Sequence, residues 1–287
     1  MTNNAKGLAL TSLGVFIMSL ESLFIKFTTI SPFLFSFYIG IFMFISMSIS
    51  FIFNQKTQSM NIKEILSKSP FILIVCAILM GSSNIFFITA IKITTVANVV
   101  IIFSTAALFS ALFAYLFFRE KITKNIVIAS LFIFIGLFII FNDSLEMGSL
   151  EGNIYALLCT ALFATSFVLL SKYKEMNRVI LTAFSGLALS IIAFFFCDEF
   201  YIDFKTLIIV MTMGLLISPI SRVLLGTGAK YINASEVSLL MIIETIMAPI
   251  WVWIFLDEIP SSYTFIGGSL IIITLIANSL YTLKKQS

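Results

Sequence analysis

VSLLMIIETIMAPIWVWIFLDE, residues Val237 to Glu258, is apolar enough and long enough to cross a bilayer. It nevertheless carries Glu244 near its middle, Pro249 in its second half and the pair Asp257-Glu258 at its far end. A carboxylate at the centre of a hydrocarbon slab costs about 2.5–3.5 kcal/mol even on the scale taken from insertion experiments. A chain keeps such a residue only with a partner, a cavity or a task.

The whole chain resembles this stretch in composition. Of its 287 residues 60% are hydrophobic and only 11% charged, and the mean hydropathy is +1.12. Soluble domains carry roughly 45–50% apolar and about 25% charged residues, so a soluble fold of this size has nowhere to hide so much apolar surface. The apolar runs are continuous rather than alternating, which excludes a β-barrel and makes this an all-α integral membrane protein. The net charge of +3 reads as an asymmetry between loops, not as a nucleic-acid surface. With no histidine, and with Cys76, Cys159 and Cys197 scattered through apolar runs, neither a metal cluster nor a disulfide framework is expected. The segment after Lys6 has full spanning length and no small-x-small cleavage site, so it reads as a first membrane helix rather than a signal peptide.

Polar breaks divide the chain into ten spans, at 7–28, 32–53, 70–91, 95–118, 123–141, 150–171, 178–197, 205–228, 235–256 and 262–282. Most connections are short, which predicts consecutive helices as antiparallel neighbours; Asn54–Ser69, with Lys56, Lys63, Glu64 and Lys68, is the longer loop. With the N-terminus cytoplasmic, thirteen Lys and Arg residues fall on the inner side and three (Lys26, Lys92 and Lys205) on the outer. The outer loops collect Asp143, Glu146, Glu151, Asp198, Glu199, Asp203, Asp257 and Glu258. This distribution predicts a multi-pass cell-membrane protein with both termini cytoplasmic.

The sequence also repeats. At an offset of 138, Lys92 meets Lys230, Ala97 meets Ser235, Ala114 meets Val252, Phe117 meets Phe255 and Glu120 meets Glu258. At an offset of 146, Lys26 meets Lys172 in spans one and six. The implied repeats are 1–146 and 147–287. Each has five helices, and because five is odd the second enters the membrane inverted. Inverted repeats are a common build for secondary transporters, with the substrate site near the midplane between the halves.

The segments that close spans four and nine are AIKITTVANVVIIFSTAALFSALFAYLFFREKIT (Ala90–Thr123) and GAKYINASEVSLLMIIETIMAPIWVWIFLDEIPS (Gly228–Ser261). A short alanine-containing entry, a long apolar helix, a Glu after a polar residue and a Gly-containing last helix (Gly136; Gly267-Gly268) resemble the drug/metabolite transporter superfamily, in particular its EamA-type members. The resemblance covers essentially the whole chain. It implies a secondary transporter or exporter of small metabolites working by alternating access. The chain departs from the pattern at three places. Span four has Ala106-Ala107 where many relatives carry a proline, span two reads Phe37-Tyr38-Ile39-Gly40 where many carry an arginine, and the glycine before the Glu is Arg119 in one half and Asp257 in the other.

Glu244 shares a helix face with Leu240, Met241, Thr245, Ala248 and Trp251. It is a candidate to bind a cationic group or exchange a coupling proton, and equally a structural acid hydrogen-bonded between helices. Glu21, flanked by Ser19 and Ser22, either faces the same cavity or pairs with Lys26. Arg222, beside Ser218, Pro219 and Ser221, either holds a substrate carboxylate, pairs with Glu244 or Glu236, or snorkels to the interface. Asn84, Asn98, Thr105, Asn153 and Thr160 suit either substrate contact or hydrogen bonding between helices. Of Trp251 and Trp253, which face differently, at most one lines a cavity with Glu244. Glu120 and Glu258 read as residues that fix helix ends. Pro219 and Pro249 can free carbonyls and kink their helices.

An ATP-binding loop, a Gly-rich phosphate loop and a reacting constellation are all absent from the sequence, which argues against an enzyme. The expected partners are a small-molecule substrate, a coupling proton and the lipid bilayer, with no cofactor, no metal and no nucleic acid. Amino-acid-like amphiphiles are the first substrate class. The two membrane carboxylates and the many aromatics raise lipophilic or quaternary cations as the alternative.

Overall fold

The structure is a computed structural model that describes residues 3–58, 70–119, 124–147, 150–173, 176–228, 231–232 and 234–286. Glu120 and the basic loop from residue 59 to 69 lie outside the described residues. The described residues form helices and no strand, as a bilayer without water requires of a continuous apolar chain.

Ten spans result, arranged as two inverted five-helix repeats. Span one is Asn3–Met18 followed by Glu21–Lys26, span two Pro32–Gln58, span three Pro70–Ile93, and span four Val96–Ser104 followed by Ala106–Phe118. Span five is Lys124–Met147, span six Leu150–Lys172 and span seven Arg178–Phe194. Span eight is Phe204–Thr212, a π-helical turn Met213–Ile217 and Ser218–Gly228; span nine is Ala234–Leu256 and span ten Ser262–Gln286. Span two therefore runs five residues beyond its expected end, and span seven stops three short. Among the described residues eight helices are long and apolar enough to cross a membrane, and Arg178–Phe194 is a shorter apolar one.

The packing reveals the symmetry. Span two lies along span seven, and span five along span ten. Span one lies along span eight, and span three along span six. The lesser pairings follow the same exchange: three with seven mirrors eight with two, and four with six mirrors nine with one. Replacing each span by its counterpart five places on turns each of these pairings into another of them. A second mark of the repeat is conformational. Arg119 and Asp257 are the two non-glycine residues with positive φ among the described ones, at 54° and 55°, and they stand 138 positions apart. Each caps its helix in the left-handed conformation, with Arg119 N–H donating to Tyr115 O at 2.9 Å and Asp257 N–H to Trp253 O at 3.1 Å. Glycine is the usual residue for that cap.

Consecutive spans do touch, two with three, five with six and nine with ten, as expected, but the more extensive contacts run between the halves. Lipid tails are as apolar as leucine, so no hydrophobic force draws sequence neighbours together; close backbone approach at small residues decides instead. A Cβ on Gly40 of span two would stand 2.6 Å from the Gly186 carbonyl oxygen of span seven, and one on Gly186 would stand 2.9 Å from Gly40 O. Gly136 and Gly267 face each other the same way across spans five and ten, at 2.8 and 2.7 Å. Large apolar side chains that find no such seam face the lipid, among them Phe71, Phe138 and Trp253.

Span eight shows what proline costs and how the cost is met. Pro219 has no N–H to donate to Leu215 O, and the Ser46 hydroxyl of span two donates to that carbonyl at 3.0 Å. Adding a methyl group at Gly40, where backbone atoms block it, is expected to destabilise the fold by about 1–3 kcal/mol. Gly268→Ala meets only the end of the Ile101 side chain, at 2.5 Å, and is expected to cost less. Thermal unfolding of the two purified variants in detergent checks the order, and a larger loss for Gly268→Ala refutes it.

Candidate functional site

Near the middle of the bundle, span one breaks. The helix ends at Met18 and resumes at Glu21. In the gap Ser19, fully buried, donates through Oγ to Phe16 O at 2.6 Å and accepts from Trp251 Nε1 at 3.0 Å. The indole of span nine thereby satisfies its N–H inside an apolar bundle, with its ring edge-on to Phe16 at 5.7 Å.

The restarted helix begins with Glu21, only 6% exposed. Its Oε1 accepts from Arg222 Nη1 of span eight at 2.9 Å. The other arm of the guanidinium, Nη2, donates to Asn84 Oδ1 of span three at 3.3 Å. Asn84 is oriented for this by its own amide, which donates to Met80 O at 2.9 Å. Arg222 thus joins spans one, three and eight at one point. Beside it runs a narrow, water-sized cavity with Glu21, Asn84, Ser218 and Arg222 as its polar wall and Met43, Phe87 and Met213 among its apolar lining.

Glu244 of span nine is likewise 6% exposed and lies within electrostatic reach of both Glu21 and Arg222. Among the described residues its carboxylate forms no hydrogen bond. Two carboxylates therefore face one guanidinium, and the pairing of Arg222 with Glu21 leaves Glu244 as the surplus. The centre takes Glu21 and Asn84 from the first repeat and Arg222 and Glu244 from the second. In chemical terms it offers a cation, two anions of unequal commitment and an amide against an apolar wall.

The partners differ from those weighed on sequence. Arg222 bonds to Glu21, neither to Glu244 nor to Glu236, which accepts instead from Asn4 Nδ2 at 3.3 Å. Lys26 does not pair with Glu21 but with Glu258, at 2.8 Å. Trp251 is partly buried beside the break in span one, and Trp253 faces outward.

Asn98, Thr105, Asn153 and Thr160 do not join the Arg222 cluster. Asn98 accepts from the Thr264 hydroxyl at 2.6 Å and donates to Asn153 Oδ1 at 3.4 Å, tying spans four, six and ten. Thr105 donates to Ile102 O at 2.6 Å and Thr160 to Ala156 O at 2.7 Å. Ser19 and Ser218 were noted on sequence only as neighbours of Glu21 and Arg222, without a role of their own. Phe87 was missed and had no signal, being an ordinary residue of an apolar run.

The profile of the EamA-like transporter family matches residues 5–142 and again residues 150–280. An uncharacterized transporter of Clostridium kluyveri is 26% identical over 214 residues, covering 69% of this chain and 67% of the relative. An uncharacterized transporter of Archaeoglobus fulgidus is 22% identical over 192 residues, covering 65% of this chain and 61% of the relative. A solved crystal structure superposes with a TM-score of 0.66 at 16% identity, over 97% of this chain and 98% of that one, a likeness of fold alone.

The Glu21–Arg222 pair is testable by a double-mutant cycle. Removing either charge strands the other in a low-dielectric interior, and Glu21→Gln and Arg222→Gln are each expected to cost about 3–5 kcal/mol. The double variant is expected to cost much less than their sum. Additive losses in unfolding experiments would show that the two groups are not coupled.

Proposed function

The chain belongs to the EamA-like transporter family, and from that premise we propose that it is a secondary-active exporter of small, amino-acid-like metabolites. It works by alternating access between the repeats 1–146 and 147–287, in a cell membrane with both termini cytoplasmic. The observation that carries this reading is the polar centre drawn from both repeats. Glu21, Asn84 and Arg222 meet on one cavity, and Glu244 stands within electrostatic reach of Glu21 and Arg222. A site shared by two inverted units is exposed to one side or the other as the units rock.

The chemistry of the centre suits a substrate bearing both charges. Arg222 offers a planar, bidentate fork for a carboxylate, and Glu21, released from it, faces an ammonium group. Glu244 has no committed partner among the described residues, so it is the group free to exchange a coupling proton as the substrate enters and leaves. The same surplus carboxylate favours one second reading, the export of lipophilic or quaternary cations, with Phe87 and Trp251 supplying aromatic faces.

Purified protein in liposomes is expected to move substrate in exchange for protons running down an imposed gradient, without ATP. A thermal-stability screen of amino acids against quaternary amines separates the two substrate classes, since a bound ligand raises the unfolding temperature by mass action. Glu244→Gln is expected to slow transport by at least about tenfold, the equivalent of 1.4 kcal/mol, and to abolish its dependence on the proton gradient. Transport and gradient dependence left intact by Glu244→Gln overturn the role given to that carboxylate.

A further inference from the structure

A second ionic cluster lies at the end of the bundle that carries Asp257 and Glu258, where the short helix Glu21–Lys26 ends five residues beyond Glu21. Lys26, the last residue of span one, reaches Glu258 Oε2 at 2.8 Å and donates to Thr94 O at 2.9 Å. Glu258, just past the end of span nine, uses its other oxygen to accept from Val96 N–H at 2.6 Å. Val96 is the first residue of span four, so the carboxylate of one repeat caps a helix of the other. A helix N-terminus presents unpaired N–H groups and the positive end of its dipole, both of which favour that contact. Lys92 adds a further tie, donating to the carbonyl and hydroxyl oxygens of Thr28. The ends of spans one and nine and the turn between spans three and four are thus bound together.

Both partners of this pair keep some exposure, 20% for the Lys26 side chain and 21% for Glu258, whereas in the central pair Arg222 is at 21% and Glu21 at only 8%. Water can therefore reach both charges at the Glu258 end when they part, while Glu21 is shut off from it.

The packing of spans four and nine is lopsided in the same sense. Span four is broken at Thr105. The half before the break, Val96–Ser104, packs on spans six and nine and buries every residue from Val96 to Ile102. The half after it, Ala106–Phe118, packs on span six and has no fully buried residue. Spans four and nine are counterparts in the two repeats, yet they are drawn together at the Glu258 end and not along the other half of span four.

We propose that Lys26 and Glu258 form a latch that holds the transport path shut at the face carrying Glu258, and that the latch parts, with span four pivoting at Thr105, when the site opens to that face. The proposal rests on reading the protein as an alternating-access transporter.

A thiol introduced as Ser218→Cys, in a chain whose three native cysteines are replaced by alanine, reports access to the cavity. A membrane-impermeant maleimide is applied to either face of oriented vesicles. Lys26→Met and Glu258→Gln are each expected to raise labelling from the Glu258 face by at least about fivefold and to lower it from the opposite face, as a shifted two-state equilibrium requires. Lys26→Arg, which keeps the charge and the donors, is expected to label like the unaltered latch. Unchanged labelling from the Glu258 face, an equal rise from both faces, or Lys26→Arg behaving as Lys26→Met overturns the latch. Labelling needs no substrate, so a protein inactive in liposomes that still shows the one-sided response refutes the transport reading alone.

Discussion

Hydrocarbon offers a charge no hydration, and the pairing of Glu21 with Arg222 is the response on which the centre of this protein depends. Each group alone would face the full penalty of a buried charge; together, with Asn84 taking the second arm of the guanidinium, they are held at one point. Backbone irregularities collect around it. Span one breaks immediately before Glu21, and span eight passes through a π-helical turn and Pro219 on its way to Arg222. Irregular backbone at membrane depth is tolerated only where protein or a cavity can satisfy it. Here the Ser19 and Ser46 hydroxyls take up carbonyls at those places, Phe16 O and Leu215 O.

The molecule uses ionic contacts in two regimes. At the centre, the burial of Glu21 makes its pair with Arg222 costly to break by removing one partner. At the Glu258 end both Lys26 and Glu258 keep some contact with solvent, and the proposed latch draws on that difference. The second carboxylate at the centre, Glu244, belongs to neither regime, because among the described residues it has no hydrogen-bond partner to trade or release.

Much of this was legible in the sequence, for physical reasons. Spanning a bilayer takes about 20 apolar residues in a helix, so the ten spans stand out as runs between polar breaks. The repeat was legible at an offset of 138, and the left-handed caps at Arg119 and Asp257 fall on that same offset. Glu21, Asn84, Arg222 and Glu244 were conspicuous as polar groups in apolar runs. Their partners were not, because Arg222 finds Glu21 201 residues away and Asn84 138 away, and no local pattern encodes such distances. Asn98 and Thr160 looked the same as Asn84 on paper. What separates them is the neighbour each meets, a threonine hydroxyl and helix carbonyls in one case and a guanidinium in the other. The main packing partners were hidden for a related reason: short loops bring some consecutive spans into contact, while the closest seams, at glycines, lie between the halves.

The glycine contact between spans two and seven bears on how the chain is made. Gly40 and Gly186 are 146 residues apart, and at 5–20 residues per second a ribosome takes on the order of ten seconds to add the second after the first. Over that interval the seam of span two has no partner in the chain, and the main partners of spans one, three and five are likewise made only after them, in the second half. The main packing contacts of the first repeat therefore wait on the synthesis of the second.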